Sequence, residues 1–441
     1  MNNHPLKRIV THHKNNDPIG IYSVCSANAF VIRAAIKRGL QTKTPVLIEA
    51  TANQVNQYGG YTGMKPEDFR DFVFEIAREE NFPVENIILG GDHLGPLTWS
   101  SLNEEEAMKE AARLIELYVL AGYTKIHIDT SMRLNDDNVN EALSTEVIAK
   151  RGAILAEVAE KAYKKLLESK PDATAPVYIV GSEVPIPGGA TAESGDSEVQ
   201  VTKVEDFKAT YDTFKKAFEN KNLLDAWENV IAIVVQPGVE EKDAGCTEYD
   251  RYKAKELMNS IKEYDNIVFE GHSTDYQTKK ALRELVEDGV GVLKVGPGLT
   301  FAAREALFAL AFAEQELYKD TAVRQSNFIK VLDDEMLKNP KNWQKHYTGT
   351  AQEIALKRKY SFSDRSRYYM PTENVTEATE ILINNFKDGV PLNLLSQFMP
   401  IQYTKVRDGL IKNNPEDLII DRIVNTIDEY LQATHQEKLW I

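Results

Sequence analysis

The sequence predicts an α/β protein, a (β/α)8 TIM barrel followed by a C-terminal helical extension. Short runs rich in Ile and Val recur eight times, and amphipathic segments separate them. Ile and Val suit the crowded interior of a pleated sheet. None of the runs alternates cleanly with polar residues, as is typical of parallel strands covered on both faces. The eight runs are Gly20–Cys25, Pro45–Thr51, Asn86–His93, Lys125–Thr130, Val177–Val184, Ala232–Gly238, Asn266–Ser273 and Gly291–Pro297.

The segments between these runs have the apolar periodicity of helices. Pro66–Glu80 begins with proline and acidic residues and places its apolar side chains on one face. Asn103–Leu120 opens on a helix-capping residue and an acidic first turn. Glu141–Leu167 and Thr300–Tyr318 show the same spacing. Repeated strand–helix units of this kind predict a closed barrel, which typically needs about 250 residues.

We therefore predict a barrel over residues 1–318, including a short polar N-terminal segment, and a helical extension over residues 319–441. An open, doubly wound sheet is the alternative for the first part, but no G-x-G-x-x-G motif follows the first run. The extension carries predicted helices at Glu373–Phe386 and Pro415–Leu431. No low-complexity linker precedes it, which favours tight docking against the barrel.

Composition and charge narrow the class of protein. The chain has 441 residues, is 42% hydrophobic and carries a formal net charge of −15, which argues against general binding to nucleic acid. No run approaches the roughly 18 apolar residues that span a bilayer. Residues 1–17 lack the apolar core of a secretory signal, and Cys25 and Cys246 are the only cysteines. These features predict a cytoplasmic protein without a membrane partner.

Polar side chains follow nearly every predicted strand. In a (β/α)8 barrel the carboxyl ends of the strands form the active site. Buried carboxylates and imidazoles need compensating partners, so their convergence at one barrel mouth indicates a functional site. In chain order these residues are Ser23, Cys25, Ser26, Glu49, Thr51, Asn53, Asp92, His93, His127, Asp129, Glu183, Gln236, Glu270, His272 and Lys294.

The pair Asp92-His93 closes the third run, just before Gly95 and Pro96. One interpretation is an Asp that caps the next helix with a His packed nearby. The other is a proton-transfer group beside a metal ligand. A mixture of imidazole and carboxylate suits a divalent metal, zinc first and otherwise manganese, cobalt or nickel. We predict metal ligation by His93, His272 and Glu183, completed by Gln236 or Glu270, and proton transfer by Asp92, with Asp129 and Glu183 as further catalytic candidates.

Three segments are candidates for binding a phosphate. Ser273–Asp275 and the turn at Gly296 each precede a predicted helix, whose N-terminus favours anions. Arg365 and Arg367 could grip a phosphate from the extension, although an ordinary salt-bridged segment is the alternative. The Gly59–Gly63 loop could cover a ligand but lacks the Lys of a P-loop. The predicted substrate-binding residues are Glu49, Asn53, Gly60, Ser273, Thr274, Asp275, Lys294, Gly296, Arg365 and Arg367.

Long motifs lie in order along the chain: Ser23–Ala27, Leu47–Thr51, Asn53–Gln57, Gly59–Gly63, Gly90–Pro96, Glu183–Gly189, Val234–Val239, His272–Thr278 and Lys294–Pro297. In these motifs the chain resembles, over nearly its whole length, the GatZ/KbaZ (AgaZ-like) subunits of tagatose-1,6-bisphosphate aldolase. The resemblance implies a cytoplasmic role in the catabolism of galactitol, N-acetylgalactosamine or tagatose.

A more distant similarity runs to the metal-dependent class II aldolases. It implies that Asp92 handles a proton and that His93 binds zinc, and Glu183–Gly189 is similar to their Glu-x-Gly…Gly-Gly segment. Where those enzymes place a zinc-binding His on strand six, this chain has Gln236. Their His-Gly-Gly-Ser on strand seven becomes residues 270–273, Glu-Gly-His-Ser. An altered ligand set is therefore expected.

Three functions compete at this point. The chain could be an accessory partner of a separate catalytic aldolase chain, or a metal enzyme that acts on a ketohexose phosphate by C3–C4 cleavage or C4 epimerisation. It could also be a sugar-phosphate kinase, although no Gly-rich phosphate loop with Lys is visible. We expect an aldolase-system protein with a metal and a ketohexose-phosphate site, with a catalytic aldolase subunit or further copies of itself as candidate partners.

Overall fold

Eight parallel strands close into a barrel, which confirms the predicted fold class. The computed structural model describes residues 4–182 and 199–440. The first strand pairs with both the second and the eighth, so the sheet has no open edge. The strands are β1 Ile21–Val24, β2 Val46–Thr51, β3 Ile87–Leu94, β4 Lys125–Ile128, β5 Val177–Val180, β6 Val230–Val235, β7 Val268–Gly271 and β8 Val290–Val295.

Helices surround the barrel and build the extension. A small antiparallel hairpin, Glu240–Glu241 with Cys246–Thr247, follows β6. No helix of the described residues has the length and apolar character needed to cross a bilayer. The α-helices are Lys7–Lys14, Ala29–Thr42, Pro66–Glu79, Glu104–Leu120, Thr145–Ser169, Val204–Asn220, Leu224–Trp227, Lys255–Ser260, Lys279–Asp288, Pro297–Leu317, Phe328–Lys338, Ala351–Tyr360, Glu373–Asn385, Leu392–Phe398, Pro400–Arg407 and Pro415–Thr434.

The helix Lys7–Lys14 lies at the amino end of the barrel, within the segment that the sequence marks only as polar. Ile9 is buried with the inward-facing apolar side chains of the strands. A Cβ on Gly291 would lie 2.6 Å from a methyl carbon of Ile9, so this glycine makes room for the helix. The amino end of the barrel is thereby filled, and the opposite end remains for a site.

The last long helix, Pro415–Thr434, packs against the barrel helices Ala29–Thr42, Lys279–Asp288 and Pro297–Leu317. Tyr430 donates a hydrogen bond of 2.8 Å from its hydroxyl to the Thr274 carbonyl, at the carboxyl end of β7. The extension therefore contacts the loops that carry candidate site residues.

A partly buried histidine near the N-terminus predicts a loss of stability in acid. Burial lowers the pKa of His13 from 6.5 to about 4, and its Nε2 lies 2.7 Å from the Ile19 carbonyl oxygen. Because the unfolded state takes up this proton first, the contribution to stability is complete above pH 6.5 and falls toward pH 4. The free energy of unfolding of a His13→Gln variant, measured by denaturation, should depend less on pH across that window than that of the wild type.

Candidate metal centre and substrate pocket

Alternation along the strands sorts the barrel interior into layers. Successive side chains of a strand point to opposite faces, so residues two apart share the interior. Ile21, Leu47, Ile88, Val268 and Val292 belong to the apolar layer at the amino end. Two residues further on, these strands carry polar residues or glycine in the next layer. They are Ser23, Glu49, Gly90, Glu270 and Lys294, and Lys125 of β4 joins them.

Two lysines and two glutamates form a buried charged layer, which comprises Glu49, Lys125, Glu270 and Lys294. Lys125 Nζ lies 2.7 Å from both Glu49 Oε1 and Glu270 Oε2. Lys294 Nζ lies 3.0 Å from Glu49 Oε2. A Cβ on Gly90 would lie 2.6 Å from Glu49 Cγ, so the glycine of β3 gives this side chain its space. The layer satisfies its own charges and supports the groups above it.

Three histidines meet at the carboxyl end of the barrel, with ring centroids 4.9–5.1 Å apart. Each has one ring nitrogen beside a carboxylate, an arrangement that orients histidines that bind metals. The three pairs are His93 Nδ1–Asp129 Oδ2 at 2.8 Å, His127 Nδ1–Asp92 Oδ1 at 3.0 Å and His272 Nε2–Glu270 Oε1 at 2.9 Å.

The other ring nitrogens are His93 Nε2, His127 Nε2 and His272 Nδ1. His127 Nε2 is buried and has no hydrogen-bond partner among the described residues. One donor atom from each of the three histidines and one from Asp92 all lie within 4.8 Å of one another. We call these four residues the histidine cluster. They could hold a metal ion, since a buried nitrogen without a partner is costly unless a ligand satisfies it.

The protonation states also suit metal binding, which requires neutral imidazole. Burial lowers the pKa of His127 to about 4 and also lowers the pKa of His272. For His93, burial acts in the same direction, but the carboxylates of Asp92 and Asp129 outweigh it and raise the pKa. Two of the three imidazoles are therefore neutral at physiological pH, and the third would lose its proton to a bound cation.

Counting charges leads to the same conclusion. Around the histidines lie four carboxylates, Glu49, Asp92, Asp129 and Glu270, and two ammonium groups, Lys125 and Lys294. With neutral imidazoles, two negative charges remain uncompensated, which equals the charge that a divalent cation would supply. The donor set of nitrogen and carboxylate oxygen is one that zinc and related ions prefer.

Backbone geometry at the mouth is unusual. His93 and Ser273 are held in the left-handed region, with φ of 48° and 53°. Such conformations cost on the order of 1–3 kcal/mol each and concentrate at functional sites. Gly95 sits against the next strand so closely that a Cβ would lie 1.7 Å from the Asp129 carbonyl oxygen. The chain between His93 and Gly95 is thus shaped to present the first histidine.

A pocket opens above the histidine cluster, with about 710 Å³ of empty space that includes the open solvent at its mouth. Asp92, His93, His272 and Lys294 line its inner end. Lys294 Nζ lies 2.7 Å from Asp92 Oδ1, the same oxygen that contacts His127, so Asp92 Oδ2 takes no part in these contacts. Burial alone would raise the pKa of Asp92, but Lys294, His93 and His127 hold it well below its usual range. This carboxylate is therefore ionised and faces the pocket.

Several predicted substrate residues also line this pocket, namely Asn53, Ser273, Asp275, Gly296 and Arg367. The predicted backbone anion site at Gly296 is already filled, however. The N–H groups of Gly296 and Gly298 donate to Asp275 Oδ1 at 3.0 and 2.7 Å. Thr274 Oγ1 donates to the Lys294 carbonyl oxygen at 2.7 Å and is fully buried. The N-terminus of the helix Pro297–Leu317 thus receives an internal carboxylate.

The two candidate arginines of the extension are placed differently. Arg367 lines the pocket, and its guanidinium donates to the Asp364 carbonyl oxygen at 2.9 Å and to the Tyr368 hydroxyl at 3.1 Å. Arg365 is buried and donates to the Asn342 carbonyl oxygen at 2.9 Å. Tyr369, two residues after Arg367, is buried inside the extension.

Four other predicted site residues lie apart from the pocket or outside the described part of the chain. Glu49 belongs to the charged layer below the cluster. Gln236 Oε1 accepts from the N–H groups of Gly238 and Val239 and closes its own turn. Gly60 donates its N–H to Asn56 Oδ1 at 3.1 Å. Glu183 lies outside the described residues, so its predicted roles stay predictions.

Comparison with known proteins shows the family. Residues 6–435 match the model of the family described as D-tagatose-1,6-bisphosphate aldolase subunit GatZ/KbaZ-like. This chain belongs to that family. The predicted resemblance is therefore confirmed over nearly the whole GatZ/KbaZ-like chain.

Solved structures resemble this GatZ/KbaZ-like chain to different degrees. A crystal structure described as a probable tagatose 6 phosphate kinase from Sinorhizobium meliloti 1021 shares 42% identity at a TM-score of 0.84, covering 94% of this chain and 100% of that chain. The fructose-bisphosphate aldolase from Campylobacter jejuni shares 15% identity at a TM-score of 0.41, covering 86% and 90%.

The contrast between the two arginines gives a direct test. Arg367→Ala should weaken the binding of a polar ligand that fills the pocket, because one hydrogen bond from a charged donor is worth about 1.5–3 kcal/mol. Arg365→Ala removes a guanidinium of the same segment that does not line the pocket, and it should leave the affinity unchanged in a folded protein. Calorimetric titration of both variants measures the difference, and equal losses would contradict a role for Arg367 at the pocket.

Proposed function

We propose that this chain is a catalytic GatZ/KbaZ-type subunit that uses a divalent metal for carbon–carbon bond chemistry on a ketohexose phosphate. One observation supports the proposal above the others: three histidines, each beside a carboxylate, lie together with Asp92, and two of them, His93 and His272, line one pocket with Asp92 and Lys294. Zinc is the first candidate for the metal, with manganese, cobalt or nickel as alternatives.

His93, His127 and His272 would hold the metal, and Asp92 would handle the proton. A divalent metal at this place supplies Lewis acidity, which polarises a substrate carbonyl. Asp92 is already engaged through Oδ1 by Lys294 and His127, so its orientation is fixed while Oδ2 faces the ligand. In this arrangement the Asp92 carboxylate accepts the proton of the sugar's C4 hydroxyl, and a C4=O double bond forms as the C3–C4 bond breaks. The C3–C4 electron pair becomes the C2=C3 double bond, the π electrons of the C2 carbonyl pass to its oxygen, and return of the proton to C3 completes the cleavage.

Lys294 would stabilise the negative charge that develops on that oxygen. Lys294 lines the pocket, and although burial opposes the charged form, Asp92 and Glu49 raise the pKa of Lys294 well above its usual range. A fixed cation in a site shielded from water stabilises such charge strongly. Lys125, beneath it, neutralises Glu49 and Glu270 and so keeps Lys294 directed toward the pocket.

Two other functions remain candidates in this frame. C4 epimerisation uses the same first step. The C3–C4 bond then re-forms on the opposite face of the aldehyde carbon, which inverts C4. The accessory-subunit function requires a separate catalytic chain and no chemistry at this pocket. A kinase function is disfavoured, because the pocket is built from histidines and carboxylates and the Gly59–Gly63 loop carries no Lys.

Product analysis separates these functions. The purified chain is incubated with divalent metal and fructose 6-phosphate, tagatose 6-phosphate or tagatose 1,6-bisphosphate. We expect triose products from cleavage, and an interconverted ketose phosphate would assign C4 epimerisation instead. The accessory function predicts a different result. The metal-loaded chain alone would then form no product, and a catalytic aldolase partner would restore conversion at a rate that Asp92→Asn leaves unchanged. That result would contradict catalysis at this site.

A further inference from the structure

An acidic wall, formed by Glu241 and Asp275, lines the pocket together with Arg367. Glu241 comes from the short hairpin that follows β6, and Asp275 follows β7. Both side chains are buried, with exposed fractions of 6% and 2%. Neither belongs to the histidine cluster.

Glu241 has an unused acceptor. Its Oε2 is buried and has no hydrogen-bond partner among the residues described, although the side chain interacts with Ser273. An unsatisfied carboxylate oxygen at this depth costs free energy unless a ligand provides a donor. Because Glu241 lines the pocket, the missing donor is expected from the bound molecule.

The charge of this wall disfavours a phosphate. Arg367, the guanidinium that lines the pocket beside these two carboxylates, already donates to the Asp364 carbonyl and the Tyr368 hydroxyl. Arg365 also lies near Glu241, but it is buried, does not line the pocket and donates to the Asn342 carbonyl. The backbone N–H groups of Gly296 and Gly298 could otherwise bind an anion, but both donate to the Asp275 carboxylate. Burial and the neighbouring Glu241 raise the pKa of Asp275 to about 7, as expected for two like charges held close together. A phosphate dianion would add repulsion to this pair.

We infer that Glu241 and Asp275 bind the hydroxyl groups of an uncharged sugar end, so that a ketohexose phosphorylated at both ends is rejected in favour of one with a free end. Hydroxyls supply the donors that Glu241 Oε2 lacks, and Arg367 and Ser273 can contact their oxygens. The inference rests on the proposed function for the sugar class, and it adds which end of the sugar is free of phosphate.

Calorimetric binding to the metal-loaded full chain tests this inference without turnover, using Asp92→Asn protein. The ligands are fructose, fructose 1-phosphate, fructose 6-phosphate and fructose 1,6-bisphosphate, and the same series for tagatose. The bisphosphate should bind at least about tenfold more weakly than the best of the other three, because juxtaposed like charges are strongly penalised. Glu241→Gln keeps the shape of the side chain and removes one charge. It should reduce this difference in affinity, which we call the affinity gap, by about tenfold.

Glu240→Gln, on the same hairpin but not lining the pocket, is the matched control and should leave the gap unchanged. The bisphosphate as the tightest ligand of the wild-type pocket would overturn the inference, even if Glu241→Gln failed to fold. The inference would also be overturned if the affinity gap were equally wide in Glu241→Gln and in Glu240→Gln. Binding in the expected order by a wild type that converts no sugar would refute the proposed function alone.

Discussion

Replacing Asp92 with Asn should lower the rate of ketose conversion by about 10²–10⁴-fold, the usual loss when a general acid–base group is removed. The amide keeps the shape of the side chain but cannot accept the proton at Oδ2. Because Asp92 Oδ1 also contacts His127 Nδ1, the metal affinity should fall by about 10–100-fold as well, but the loss of rate should persist at saturating metal. Steady-state kinetics at saturating metal, together with a metal titration, measure both quantities.

Asp129→Asn is the matched control, because Asp129 contacts His93 Nδ1 at 2.8 Å and does not line the pocket. Loss of a carboxylate behind a histidine ligand typically costs about 10–100-fold in metal affinity. Its defect should therefore recover as metal is added, whereas that of Asp92→Asn should persist. Full activity of a folded Asp92→Asn protein would refute the assignment of the proton to Asp92.

His127→Ala should weaken metal binding by more than the roughly 10–100-fold expected when only a supporting carboxylate is lost. The reason is that a donor atom is removed from the cluster in which His127 Nε2 lacks any other partner among the described residues. Competition with a chromophoric chelator measures the affinity. His435→Ala, a half-exposed histidine outside the cluster, serves as the control and should bind metal like the wild type.

A wild-type metal affinity together with a wild-type rate in His127→Ala would show that the metal is held elsewhere. An effect confined to the rate, with metal binding intact, would place His127 in proton transfer through its contact with Asp92. The two outcomes are distinguishable because only the first leaves both measurements unchanged.

The sequence predicts the barrel well because its strands are recognisable from local composition. Each strand overlaps one of the eight predicted Ile- and Val-rich runs, with ends that differ by a few residues, since crowded parallel strands require such residues. Local composition does not predict the helix Lys7–Lys14, because Ile9 and Val10 are its only apolar residues. Its burial depends on the gap at Gly291, which is a property of the closed barrel and not of the helix.

The inward side chains show a similar limit. Asp92, His93 and His272 were predicted to act together from their positions at strand ends, and they do lie together. The sequence places His127 at a strand end but does not mark it as a ligand, and Lys125 falls within one of the eight predicted strand runs. The alternation Lys125, His127, Asp129 carries a signal for an inward polar row, which a reading based on apolar content overlooks.

Contacts between distant segments lay beyond local reasoning. Asp275 was predicted to favour a phosphate at a helix N-terminus, yet its own carboxylate occupies the N–H groups of Gly296 and Gly298. Nothing in the local sequence shows that the strand-seven loop reaches the strand-eight helix. Glu241 was likewise unremarkable in sequence, because its significance comes from burial beside that loop.

Anomalous scattering tests the central claim most directly. Crystals of the full chain grown with zinc, measured above and below the zinc absorption edge, should show one strong peak bonded to His93, His127 and His272, with Zn–N distances of about 2.0–2.1 Å. No peak at the barrel mouth at saturating zinc, or a peak that leaves two of these histidines unbound, would contradict a metal centre built on the histidine cluster.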